Sequence, residues 1–157
     1  MSVQTTLRIL EMPSELTDTS ITFHFAVPCT LRNRKALKDF LLRFFKTEKR
    51  SLGTLSYIFC SDDYLLEINR TYLKHDFFTD IITFDLSPDR SRLDGEIYIS
   101  VDRVKENAQS HLTTFPEELH RVIFHGALHL CGHKDKTKAD AAAMRTAENK
   151  LLKAYFD

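Results

Sequence analysis

Residues 79–100 read TDIITFDLSPDRSRLDGEIYIS. Two β-rich runs, 79–86 and 95–100, flank a stretch of Ser, Pro, Asp and Arg with strong turn character, so the segment reads as two neighbouring strands. Working outward, residues 21–28, ITFHFAVP, alternate apolar and polar side chains until Pro28, the period-2 pattern of a half-buried strand. Residues 54–60, TLSYIFC, read as a further strand.

Helical segments separate these runs. Residues 34–46 place Leu37, Phe40, Leu41, Phe44 and Phe45 on one face. Residues 61–73, SDDYLLEINRTYL, start with Ser61 as a plausible N-cap, Asp62 and Asp63 sit at the positive end, and Leu65, Leu66, Ile68 and Tyr72 are the apolar positions. Three more helices are expected: 101–110, one from Pro116 to Gly132, and one beginning at Thr137. Thr137 and Asp140 resemble a capping box, and Ala139, Ala142, Ala143, Ala147, Leu151 and Leu152 give the last helix its expected packing face. The expectation is an α/β (α+β) fold: a single small domain over residues 1–157, with about four strands in a mixed sheet packed with helices.

Composition bounds the function. No apolar run approaches the ~20 residues of a membrane span, and residues 1–10, MSVQTTLRIL, lack the zones of a signal peptide. Cys29, Cys60 and Cys131 are an odd set without a CxxC pair, which argues against a secreted disulfide framework and for a reducing, cytoplasmic setting. The formal net charge is zero, so any nucleic-acid partner needs a local basic patch. Residues 30–50 offer one: Arg32, Arg34, Lys35, Lys38, Arg43, Lys46, Lys49 and Arg50 against Asp39 and Glu48. Its first reading is the solvated face of an amphipathic helix; its second is a surface that meets phosphates.

The chemistry lies in residues 125–135, HGALHLCGHKD. His125 and His129 are four apart on an expected helix, so both imidazoles project from one face and can share an ion. His133 on a continuous helix would lie about 12 Å from His125 along the axis, so a third ligand requires the chain to turn back. Gly132 can take the left-handed conformation that ends a helix, and Asp135 then returns to the ion, with His133 the alternative. Cys131 is rotated about 200° from His129 and reads as a small core residue. The expected cofactor is one zinc ion per chain on a helix of the C-terminal half. A peptidase of the H-E-x-x-H kind needs Glu where this chain has Gly126, which disfavours that chemistry.

The cluster HGALHLCG, with Asp135 ten residues after His125, resembles the hallmark of the YbeY family of bacterial ribosomal RNA maturation factors, which are metal-dependent endoribonucleases. Residues 68–84, INRTYLKHDFFTDIITF, and 94–100, DGEIYIS, resemble two further blocks of that family. In most of the family the third ligand is histidine where this chain has Asp135, and an arginine assigned to RNA binding or catalysis is aligned with Leu73. Arg70 and Lys74 are the substitutes to consider. The resemblance implies an α/β fold, a zinc site, a cytoplasmic single-strand-specific endoribonuclease, and partners in ribosomal RNA and the small ribosomal subunit, in 16S maturation and ribosome quality control. It also brings Thr79 and Asp80 near the metal, where they could orient a ligand or the attacked phosphate; strand-edge capping is their plainer reading. The rival readings are a non-catalytic ribosome-assembly factor with structural zinc and a metal-dependent hydrolase of another substrate.

Overall fold

The four β-rich runs extend and pair as one mixed sheet. The structure is a computed structural model and describes residues 19–157; residues 1–10, on which the reading of the amino end rests, lie outside them. β1 is Ser20–Phe25, β2 Leu52–Cys60, β3 Ile81–Asp85 and β4 Leu93–Ser100, in the order β1-β2-β4-β3. β1 runs parallel to β2 and β2 to β4, whereas β3 is antiparallel to β4, from Ile81 opposite Ile99 to Asp85 opposite Gly95. The turn after β3 therefore returns the chain into the adjacent strand, as its composition predicts. A stretch containing a 14-residue helix crosses from β1 to β2, and a helix, a π-helical turn and β3 cross from β2 to β4, the long connections that parallel pairing requires.

Alternation assigns each face of the sheet to different helices. Leu55, Tyr57 and Phe59 of β2 and Leu93, Ile97 and Ile99 of β4 point into one core with helices α1 (Arg34–Thr47), α3 (Val101–Ser110), α4 (Phe115–Leu130) and α5 (Lys138–Phe156). Ile82, Phe84 and Tyr98 point the other way, onto Leu65 and Ile68 of α2 (Asp62–Ile68). Where both faces of the central strands are covered, at residues 57–60 and 97–99, the sequence is a continuous apolar run, YIFC and IYI. Ser61, Thr114 and Thr137 cap their helices by accepting from the backbone N–H groups of Tyr64, Glu117 and Asp140.

α1 buries Leu37, Leu41, Phe44 and Phe45, with Phe40 half-buried, and turns Arg34, Lys35, Arg43 and Lys46 to solvent, with Arg32 and Lys49 exposed just outside its two ends. Two sequence expectations about packing faces are corrected. Tyr72 is 70% exposed. The helix ends at Ile68 and widens into a π-helical turn, Asn69–Leu73, which changes the angular phase and carries Tyr72 off the packed face. In α5 the buried stripe is Met144, Glu148 and Leu152, flanked by Ala147 and Leu151, whereas Ala139, Ala142 and Ala143 face solvent. Alanine has little apolar area to bury, so the larger side chains set the rotation of the helix.

Candidate metal centre

α4 carries the histidines, and its fit against the sheet sets their direction. Gly126 is the point of closest approach: a Cβ there would lie 2.9 Å from the Cδ1 atoms of Ile81 and Ile97. Position 126 faces the sheet and not the cleft, so the glutamate that a peptidase of the H-E-x-x-H kind requires has no room here. His125 and His129 occupy the adjacent face, half-buried, with ring centroids 4.5 Å apart.

The helix then stops sharply. Gly132 has φ +92°, its N–H donates to the His129 carbonyl at 2.9 Å, and the His133 N–H donates to the Leu128 carbonyl at 3.1 Å. This pair of bonds is a Schellman motif, with glycine at the left-handed position. Arg50 Nη1 adds a bond to the Leu130 carbonyl at 3.2 Å, satisfying another terminal acceptor.

The reversal returns Asp135 to the histidines. Its Oδ2 is 3.3 Å from His125 Nε2 and 3.2 Å from His129 Nε2, and one donor atom from each of the three residues lies within 4.8 Å of the others. His133 points elsewhere: its Nε2 is 3.3 Å from Glu48 Oε1 at the end of α1, while its carbonyl accepts from His129 Nδ1 at 2.9 Å. Cys131 packs half-buried against the core, and burial with Glu48 nearby pushes its thiol up to about 12, against the pull of Arg50.

A residue the sequence reading missed completes the centre. Glu148 of α5 has a side chain only 7% exposed, and its Oε2 accepts from His125 Nδ1 at 2.8 Å. Its Oε1 is 3.2 Å from Arg121 Nη1 and 3.5 Å from Arg145 Nη1. Carboxylate and carbonyl oxygens can only accept, so each histidine carries its proton on Nδ1 and presents the lone pair of Nε2 to the cleft. That tautomer is the one a metal ligand needs, and the carboxylate behind it raises the basicity of the ring. The available signal was an acid inside an apolar stripe: Glu148 is four residues from both Met144 and Leu152.

The three residues open onto a cleft of about 650 Å³ that also includes Thr79, Asp80, Leu73, His75, Phe77 and Lys136. Burial pushes the Asp80 carboxyl above its ordinary value, with His125 partly offsetting it. Asp80 Oδ2 accepts from Asn107 Nδ2 at 3.4 Å, and the Asp80 carbonyl accepts from the Ser100 N–H. The Thr79 hydroxyl donates to the Ile81 carbonyl at 3.3 Å, a strand-edge cap.

The basic residues read from the sequence are not gathered here. Arg70 pairs with Asp76 and Glu67 on an exposed surface, and Lys74, at φ 54°, follows the π turn; neither is among the residues lining the cleft. Arg32 lies with Phe115 and Pro116 at the start of α4, roughly 14 Å from His125 along the helix axis. Arg34 lies over the Phe25 ring, 4.5 Å from its centroid, and Lys35 is exposed beside it in the first turn of α1.

Two imidazole nitrogens and a carboxylate suit a divalent first-row ion and leave a coordination position open. Asp135→Ala is expected to weaken zinc binding by at least about 10- to 100-fold, the range seen for outer partners of metal ligands, and His133→Ala by less, because its carbonyl survives the substitution. Competition titration with a chelator measures both. The reverse order would make His133 the ligand.

The family model described as Endoribonuclease YbeY matches residues 27–156. A relative in Cytophaga hutchinsonii, named Endoribonuclease YbeY, is 51% identical over 122 residues, 78% of this chain and 85% of its own length. One of the same name in Flavobacterium psychrophilum is 44% identical over 135 residues, 86% of this chain and 96% of its own length. A solution structure from Thermotoga maritima superposes with a TM-score of 0.56 at 26% identity, covering 87% of this chain and 89% of that one. The HGALHLCG cluster therefore stands within a match that runs from just after β1 to the end of α5, and the chain belongs to the YbeY endoribonuclease family.

Proposed function

We propose that this protein is a zinc-dependent, single-strand-specific endoribonuclease of late small-subunit (16S) ribosomal RNA maturation and ribosome quality control. It works in the cytoplasm on the small ribosomal subunit, as one domain over residues 1–157. Family membership makes it a hydrolase acting on RNA. The observation that carries the metal reading is the convergence of two Nε2 lone pairs on Asp135, each fixed by an acceptor on its Nδ1 side.

His125, His129 and Asp135 would hold the ion. When bound, zinc supplies Lewis-acid chemistry, neutralising phosphoryl charge and lowering the pKa of water. Glu148 and the His133 carbonyl keep the two rings in one tautomer and orientation, so the donor set needs no rearrangement. Asp80, with its carboxyl pushed upward by burial, can orient the attacked phosphate or return a proton to the leaving ribose oxygen. Thr79, one residue earlier in the cleft, is the other group within this segment that can donate to a phosphate oxygen, by rotating its hydroxyl away from the Ile81 carbonyl.

The test compares a precursor of small-subunit ribosomal RNA presented single-stranded with the same RNA annealed to its complement. The zinc-loaded protein is expected to cut the first and spare the second, and cells lacking the protein are expected to accumulate unprocessed precursor. A protein that binds zinc stoichiometrically but cuts neither, in cells that accumulate precursor without it, would replace this reading with the structural-zinc assembly factor.

A further inference from the structure

The cleft presents a problem of charge. Its described lining includes Asp80, Asp85 and Asp135, and Lys136 is the one Lys or Arg among them. Attraction to phosphate normally supplies much of the affinity of a nucleic-acid site. Here a divalent ion and Lys136 would balance the three carboxylates without leaving a net positive charge, so a contact other than cationic side chains is needed to grip the strand.

Aromatic surface is what the same cleft has in excess. His75 and Phe77 both line it, with ring centroids 5.1 Å apart and planes 20° from parallel. Phe77 is 56% exposed, although an apolar ring of that size is ordinarily buried. The segment that carries the pair is tied down. Asn69 is 1% exposed and donates from Nδ2 to the Phe77 carbonyl at 2.8 Å, and the His75 N–H donates to the Asn69 carbonyl at 3.1 Å. Arg70 and Asp76 pair across the same turn. The neighbouring Phe78 is partly covered by the Arg103 guanidinium, 5.3 Å from its ring centroid. A rigid backbone thus presents a ring outward, beside the metal ligands, at a cost in exposed apolar area that the fold does not recover.

We infer that the stacked pair His75 and Phe77 is a platform on which one unpaired nucleobase stacks, holding the adjacent phosphate over the metal centre. The inference rests on the reading that this cleft takes RNA. A base already stacked in a duplex cannot reach the ring without being splayed out, so the platform selects single-stranded RNA, and it does so without reading sequence because every base has a π face. Affinity from this source depends weakly on salt, in contrast to affinity from phosphate contacts.

The chain contains no tryptophan, so Phe77→Trp introduces a unique fluorophore at the platform. Mixed with a short oligoadenylate, and read before any cleavage, its emission is expected to be quenched; a strand of the same length with abasic riboses should leave it unchanged. In parallel, Phe77→Ala should raise KM for single-stranded RNA by about tenfold or more, from the ~1–3 kcal/mol of one stacked base, with kcat and zinc content near wild type. Phe77→Tyr should restore KM and Phe77→Leu should not, and the defect should persist as salt is raised. Equal quenching by both strands, a wild-type KM for Phe77→Ala, or full rescue by leucine would overturn the platform even if wild-type protein cuts RNA. Base-dependent quenching in a protein that cuts no RNA would leave the platform standing and remove the endoribonuclease reading instead.

Discussion

A His129→Ala chain is expected to fold, to purify without zinc, and to cut single-stranded ribosomal RNA on the order of 10³-fold more slowly than wild type. The substitution removes one of two imidazole donors, leaving His125 and Asp135, and two ligands do not form a tight zinc site. A bound ion would contribute several kcal/mol of charge stabilisation in the transition state, and each 1.36 kcal/mol is a factor of ten in rate. Folding should survive because the ring is 28% exposed and opens on the cleft, and its Nδ1 bond is to a loop carbonyl that water can satisfy. Metal analysis and initial rates on the same preparation give the result. A folded, metal-free variant with wild-type rates would show that the metal takes no part in the chemistry.

Replacing Glu148 should have the largest effect on stability and a second effect on the metal. Its side chain is 7% exposed and accepts from His125 while pairing with Arg121 and Arg145. Removing one member of a buried charged set typically costs about 3–5 kcal/mol, because the remaining charge stays buried without its partner. Glu148→Ala is expected in that range by denaturant unfolding, with zinc affinity reduced by about 10- to 100-fold through loss of the His125 tautomer. Glu148→Gln keeps an acceptor for the Nδ1 proton and should lose less of both. Unchanged zinc affinity in Glu148→Ala would mean that the ring is oriented by α4 alone.

The pH dependence of that loss has a defined sign. Burial tends to raise the Glu148 carboxyl, but the His125 bond and the Arg121 guanidinium more than offset it and hold it below its ordinary value. Its contribution is complete above the unfolded glutamate pKa of about 4.3 and is lost as pH falls through the lower folded value. For His125 burial tends to lower the pKa, yet the Glu148 bond and the nearby carboxylates raise it overall. That contribution is complete below the unfolded histidine pKa of about 6.5 and is lost as pH rises through the folded value. In zinc-free protein the stability gap between wild type and Glu148→Gln should therefore be widest between about pH 4.3 and 6.5 and narrow on both sides. A gap that stays constant across this range would show that the pair is not coupled.

Much of the fold was legible because its signals are local. Alternation marked the first strand and β-rich composition the other three, and the capping positions of Ser61 and Thr137 gave two helix starts that the structure reproduces. The turn composition of residues 87–94 gave the β3–β4 neighbours. The errors fell where a helix presents small residues or changes phase. The alanines of α5 looked like a packing face only because their spacing was right, and Tyr72 followed a 3.6-residue period that the π turn at Asn69–Leu73 breaks.

By itself the sequence determined that His125 and His129 share a helix face, that Gly132 ends that helix, and that Asp135 follows within reach; each is a matter of spacing along one continuous backbone. It could not determine the order β1-β2-β4-β3, because alternation marks which side chains share a face and not which strand lies alongside. Nor could it show that His133 turns to Glu48 at the end of α1, that Gly126 is pressed between Ile81 and Ile97, or that Glu148 comes from 23 residues beyond His125 to hold its ring. These depend on the packing of α1, α4 and α5 against the sheet. A helix period states what its buried face contains, and only the tertiary structure decides what that face meets.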